Sequence, residues 1–99
     1  MEVIEFSLKS NNSNLAKVFL KGRYPEKGVA LNTKCEMTIY VLEGSVVLQG
    51  ENNEDEYLAG TAVVIPVGQK YYWKPQPTVT LLIFSTPTWT SEQQQILDY

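Results

Sequence analysis

The chain contains no histidine and only one cysteine, Cys35, among its 99 residues. The first absence removes the commonest ligand of a transition metal and the side chain best suited to proton transfer near neutral pH. The second excludes an internal disulfide, so a disulfide-stapled scaffold is ruled out and stability has to come from packing. Eight basic residues stand against eleven acidic ones, giving a net charge of -3, and the lysines are scattered without forming a run. Neither nucleic acid nor a membrane surface is therefore expected as a partner. No apolar stretch reaches the roughly 20 residues of a membrane span, and Met1-Glu-Val-Ile-Glu-Phe6 carries acids where a secretion signal carries bases. The expected location is cytoplasmic.

What the chain does hold is apolar material: hydrophobic residues make up 43% of it. That suffices for one core, and a single domain over residues 1–99 is expected. Short runs rich in Val, Ile, Leu, Thr and Tyr alternate with turn residues, the pattern of an all-β sandwich or barrel. Strands are expected near Val3–Phe6, Leu15–Lys21, Val29–Leu31, Glu36–Leu42, Val46–Gln49, Asp55–Leu58, Thr61–Ile65, Tyr71–Lys74 and Thr78–Ser85. Glu43-Gly44 reads as the tight turn of a hairpin over Thr38–Gln49, because glycine supplies a positive backbone angle. Ser10–Asn14 and Gly50–Asp55 read as polar connections, the latter too short for an EF-hand loop. Thr90 and Ser91 are N-cap candidates, each with a glutamine three positions on, so a short carboxy-terminal helix is expected.

The most specific feature is Gly60-Thr-Ala-Val-Val-Ile-Pro66-Val-Gly68-Gln-Lys-Tyr71. Its spacing resembles the second sequence motif of the cupins, in which a histidine closes the series where this chain has Tyr71. Tyr40-Val-Leu-Glu-Gly44 resembles the end of the first cupin motif. The fifteen residues between Gly44 and Gly60 are similar to the connection in small single-domain members, and Ser85–Thr90 is similar to their tail. The resemblance implies an antiparallel jelly-roll β-barrel.

The resemblance also implies where metal ligands would stand, and the sequence departs from the pattern at each place. The glutamate position falls on Met37, and the paired histidines fall on Leu31 and Thr33 or, with the longer spacing, on Ala30 and Asn32. Glu36 is one residue away, and strand alternation puts its carboxylate on the face opposite Met37. No metal and no cofactor is therefore expected. If the register holds, Met37, Ile39 and Val41 face the interior from one strand and Tyr71 and Trp73 from another. The residues expected to line a ligand cavity are Leu31, Thr33, Met37, Tyr71 and Trp73. Cys35 reads as a small apolar filler.

Three functions compete. The leading one is a metal-free barrel that binds a small, largely apolar or mixed ligand, as a binder, sensor or accessory subunit. The second is a metal-independent isomerase or epimerase on a sugar-like substrate, with Tyr71 and a carboxylate such as Glu36 as the acid–base pair. The third is a metal-dependent enzyme in which a bulge turns Glu36 inward. A symmetric homodimer is expected through the outer face carrying Thr38, Tyr40 and Leu42.

Overall fold

The computed structural model describes residues 1–6, 8–9, 12–50 and 54–97. Ser10 and Asn11 of the first polar connection, positions 51–53 of the second, and Asp98 and Tyr99 of the tail lie outside the described residues. Among the described residues eight strands follow one another: β1 (Glu2–Phe6), β2 (Asn14–Lys21), β3 (Val29–Asn32), β4 (Glu36–Gln49), β5 (Glu54–Leu58), β6 (Ala62–Ile65), β7 (Tyr72–Thr86) and β8 (Gln94–Leu97). Every pairing is antiparallel. The larger sheet runs β1-β2-β7-β4-β5, with β6 beside the first half of β4, and β3 and β8 form a second, two-stranded sheet. Among the described residues no ladder closes the larger sheet on itself, which corrects the expected closed barrel. Two single bridges, Tyr24 with Trp73 and Ala30 with Tyr71, tie the segment around β3 to the start of β7.

Alternation sorts the two faces of the large sheet, because residues opposite one another in an antiparallel pair share a face. Asn14, Ser85, Met37 and Ile65 form one inward row, and Ala16, Ile83, Ile39 and Val63 the next. Leu20, Val41, Val79 and Leu81 complete a core in which each is at most 2% exposed. Each such side chain contributes about 1.5–3 kcal/mol by leaving water.

Two expected boundaries dissolve. The hairpin over Thr38–Gln49 is instead one strand, β4, because the two-residue turn suited to it needs positive φ at both central positions and only Gly44 (φ 79) has it. Since β7 offers a continuous partner from Thr86 to Tyr72, the chain stays extended and absorbs the mismatch as bulges between Val41 and Glu43 and between Gly44 and Val46. A Cβ on Gly44 would run into the Thr78 carbonyl oxygen, so glycine is required there for closeness as well as for φ. The strands expected at Tyr71–Lys74 and Thr78–Ser85 likewise merge into β7. Pro75 and Pro77 are tolerated because they sit at the same bulge, where the ladder is already interrupted.

The expected carboxy-terminal helix is absent from the described residues. A single 3-10 turn, Ser91–Gln93, leads into β8, and Thr90 makes no side-chain capping bond. The physical reason lies in the partner. β3 presents an edge from Val29 to Asn32 that pairs with Leu97 to Gln94, and so short a helix is marginal without an apolar face to pack.

Candidate functional site

The Gly60–Tyr71 motif works as a positioning device. Gly60 (φ 92) donates its N–H to Val41 O at 2.8 Å, starting β6 beside β4. The turn at Pro66–Gln69 is closed by Gln69 N–H to Pro66 O at 3.2 Å, and Gly68 N–H reaches Asn32 O at 2.8 Å. The chain then runs alongside β3: Tyr71 and Ala30 exchange both backbone hydrogen bonds, at 2.9 and 2.8 Å. Trp73 and Tyr24 do the same at 2.7 and 2.9 Å. Tyr71 and Trp73 therefore point to one side, and their rings stack at 5.4 Å with 30° between planes. The Tyr24 ring tilts against Trp73 at 5.9 Å.

These rings border a partly open cavity of about 160 Å³. Met37, Ser85 and Ile83 form its floor on β4 and β7, and Trp89 reaches it from the tail. Val3 and Glu5 of β1 stand at the rim, both exposed. Glu5 is the charged side chain among the lining residues described; no lysine or arginine is among them.

A chain of polar contacts runs along one side. Tyr24 Oη donates to Gln94 Oε1 at 3.1 Å, and Gln94 Nε2 donates to Tyr71 Oη at 3.5 Å. Trp89 Nε1 donates to Asn32 Oδ1 at 3.0 Å, while Asn32 Nδ2 lies 3.4 Å from Met37 Sδ. Trp89 N–H is held by Asn14 Oδ1 at 3.0 Å. Burial pushes the Tyr71 phenol well above its ordinary value, and hydrogen bonds from Gln94 and Asn32 only partly oppose it. Tyr71 is thus held neutral, as a polar handle. Trp73 Nε1 has no hydrogen-bond partner among the described residues, although the side chain is only 4% exposed.

Of the five residues named from the sequence, Met37, Tyr71 and Trp73 line this cavity; Leu31 and Thr33 do not. Leu31 pairs with Gln95 on the β8 side, and Thr33, exposed, uses its N–H and hydroxyl to hold Gln93 O at 3.0 and 3.1 Å. Alternation along β3 gives the inward places to Ala30 and Asn32, both buried. The longer of the two spacings weighed for the motif is the one that fits. Gln94 and Tyr24 carry no such signal in the sequence, because the tail has the residues of a helix and Tyr24 stands between expected strands. Glu36 is exposed, and the bulges of β4 fall beyond Val41, too far away to turn it inward. Cys35 is buried with its thiol raised by burial, and its N–H is held by Gln93 Oε1 at 2.9 Å.

Whether these residues suit a metal follows from their chemistry. The four inward positions offer a methyl, an amide, a thioether and a phenol held neutral, from Ala30, Asn32, Met37 and Tyr71. A divalent transition metal binds through imidazole, thiolate or carboxylate. Among the described residues no three Cys, Asp or Glu side chains converge. The donor set does not fit.

No family model matches the chain, and no curated protein matches it. Solved structures do. The Streptomyces nucleoside dehydratase Pac13 superposes with a TM-score of 0.83 at 10% identity, over 98% of this chain and 78% of that one. A cupin-2 domain protein of Shewanella frigidimarina gives 0.69 at 18% identity, over 80% and 74%. The fold is cupin-like. A Neisseria meningitidis protein shares this cupin-like fold, with a TM-score of 0.74 at 13% identity, over 86% and 83%. The cupin-like assignment fits the positions reached from the sequence: Met37, Asn32 and Tyr71 meet on one inner surface. No helix among the described residues is long and apolar enough to cross a membrane.

Proposed function

We propose that the chain is a metal-free cupin that binds a small molecule in the cavity bounded by Tyr24, Tyr71, Trp73 and Trp89. The observation that carries this reading is the cavity itself: an aromatic wall with a few polar groups, the composition of small-molecule sites. Tyr71 and Gln94 orient the ligand and the rings supply contact. Binding raises apparent stability, by about 2.7 kcal/mol at a ligand concentration one hundred times Kd. A thermal-shift screen of metabolites against wild type, Tyr71→Phe and Met37→Ala tests the reading. Compounds that stabilise wild type and lose effect in the variants support it; a screen in which nothing stabilises wild type overturns it.

A metal-independent isomerase or epimerase is the second reading, favoured by one observation: Glu5 lines the same cavity as Tyr71. Glu36, the carboxylate expected from the sequence, faces away. Turnover of a sugar-like substrate that Glu5→Gln abolishes would establish it.

The chain is further proposed to form a homodimer through the outer face of the large sheet. Phe6, Leu15, Phe84, Thr38 and Val64 stand side by side across five strands, and Ile4, Lys17, Leu82, Tyr40 and Ala62 form the adjoining row. Leu42 falls at the bulge. Phe6, Phe84, Val64, Ile4 and Tyr40 are each at least 40% exposed, a patch of the kind monomers seldom leave bare. A second copy is the occupant that matches, because Lys17 and Lys21 share this face with Glu2 and Glu43. Turned about a two-fold axis, such a face can set lysine against glutamate.

A further inference from the structure

Among the described residues that line the cavity, Met1, Val3 and Glu5 are exposed, and every other one is buried or half-buried. The cavity therefore meets solvent along β1. How β1 is held decides what that mouth can do. Every residue of β1 is exposed, Val3 at 50% and Ile4 at 57%. Among the described residues β1 pairs with β2 alone, as the last strand of its sheet. β2 by contrast is paired on its other side with β7 along its whole length, from Asn14–Ser85 to Lys21–Thr78, and it buries Ala16, Val18 and Leu20. A strand with little buried apolar surface and solvent-exposed hydrogen bonds opens locally at lower cost than the core. β1 fits that description and β2 does not, so β1 can leave while β2 stays in place.

Ala16 and Val18 are what such a departure uncovers. Val3 stands opposite Val18 and Glu5 opposite Ala16 on the inward face, and all four line the cavity. With β1 away, the cavity opens along its β2 wall. Ile4, between Val3 and Glu5, points to the outer face and is not part of the lining.

We propose that β1 is the gate of the cavity: it peels from β2 while the other strands remain folded, and small molecules enter and leave by that route. As a path for a ligand the gate rests on the small-molecule reading above; as a motion it stands alone. A guest that touches Val3 and Glu5 favours the closed form, since it gains those contacts only there.

Thiol labelling with iodoacetamide tests it. Cys35→Ala combined with Ala16→Cys puts a single thiol on the wall behind β1. Wild type offers Cys35, buried and outside the cavity lining, as a reporter of wider unfolding. The Ala16→Cys thiol should be labelled at least about ten-fold faster than Cys35. Ile4→Gly, which weakens β1 and leaves the lining intact, should speed that labelling about five-fold. Gly44→Ala disturbs the approach of β4 to β7 and spares β1, so it should speed the labelling of Cys35 and change that of Ala16→Cys less than about two-fold. A rate at Ala16→Cys that ignores Ile4→Gly means a fixed mouth, and one that rises with Gly44→Ala means global unfolding; either overturns the gate. Ile4 also lies on the face proposed for the dimer, so the comparison is repeated with Phe84→Lys, and an Ile4→Gly effect that vanishes there overturns the gate too. Hydrogen exchange on wild type needs no variant: β1 amides should exchange at least about ten-fold faster than those of β4 and β7, at a rate that dilute urea leaves unchanged. Exchange of β1 as slow as that of β4 overturns the proposal. A thermal-shift screen in which nothing binds, beside labelling as expected, removes the ligand and leaves the gate.

Discussion

Trp89 donates its indole N–H to Asn32 Oδ1 at 3.0 Å, joining the tail to β3 across 57 residues. Asn32 is 2% exposed and its amide also meets Met37 Sδ, so one side chain fastens the tail, β3 and β4 at the cavity wall. Asn32→Ala leaves the Trp89 N–H without that acceptor and opens a small void. Its expected cost is about 1–3 kcal/mol, read as a lower urea midpoint, with faster exchange of the Trp89 indole proton. An unchanged midpoint and exchange rate would mean that the tail is held elsewhere.

Gly44→Ala should destabilise by about 1–3 kcal/mol, since it places a side chain at φ 79 and against the Thr78 carbonyl. Gly60→Ala is the control. It shares the positive φ, but its Cβ would meet nothing within 4 Å, so the difference between the two variants isolates the close approach of β4 and β7. Denaturation with guanidinium measures both.

Alkaline pH should weaken the fold through Tyr71 and Cys35. Burial raises both groups above their ordinary values of 10.0 and 9.0. The folded protein keeps these protons to higher pH than the unfolded chain, so their contribution is complete below about pH 9. It declines as pH rises past 9.0 for the thiol and past 10.0 for the phenol. Each group adds a limiting slope of about 1.4 kcal/mol per pH unit. Cys35→Ala and Tyr71→Phe should each flatten the alkaline limb of a stability–pH curve relative to wild type. Curves that stay parallel to wild type would refute the assignment.

Phe84→Lys should convert a homodimer into a folded monomer. Phe84 stands mid-row on the outer face and is 41% exposed, so the variant alters no core contact. Sedimentation velocity at micromolar concentration gives the mass and circular dichroism confirms the fold. A wild type that already sediments as a monomer contradicts the proposed interface.

Much of this arrangement was legible in the sequence because strand alternation is rigid. The parity of Glu36 and Met37, with the carboxylate outside and the thioether inside, follows from period two alone and is what the structure has. Gly44 is legible as a position of positive φ, yet a positive φ serves a bulge as well as a turn. Only the continuous partner β7, which is remote in sequence, decides between them. The same holds for the tail. Thr90, Gln93 and Gln94 are compatible with a helix, and the unpaired edge of β3 makes them a turn and a strand. Leu31 against Asn32 is a choice of one residue in a short loop, and the buried contact of the Asn32 amide with Met37 Sδ gives the inward place to Asn32.

The walls of the cavity come from nearly the whole length of the chain: Val3 and Glu5, Ala16, Met37, Tyr71 and Trp73, Ser85, and finally Trp89 and Gln94. β2 and β7 meet through Asn14 and Ser85, and β3 waits for β8. Contacts between such distant residues form slowly, since a long loop has to close before any of them is made. The cavity is thus complete only when segments from both ends of the chain have come together. A nascent chain whose tail has not yet emerged from the ribosome lacks the Trp89 and Gln94 side of the cavity.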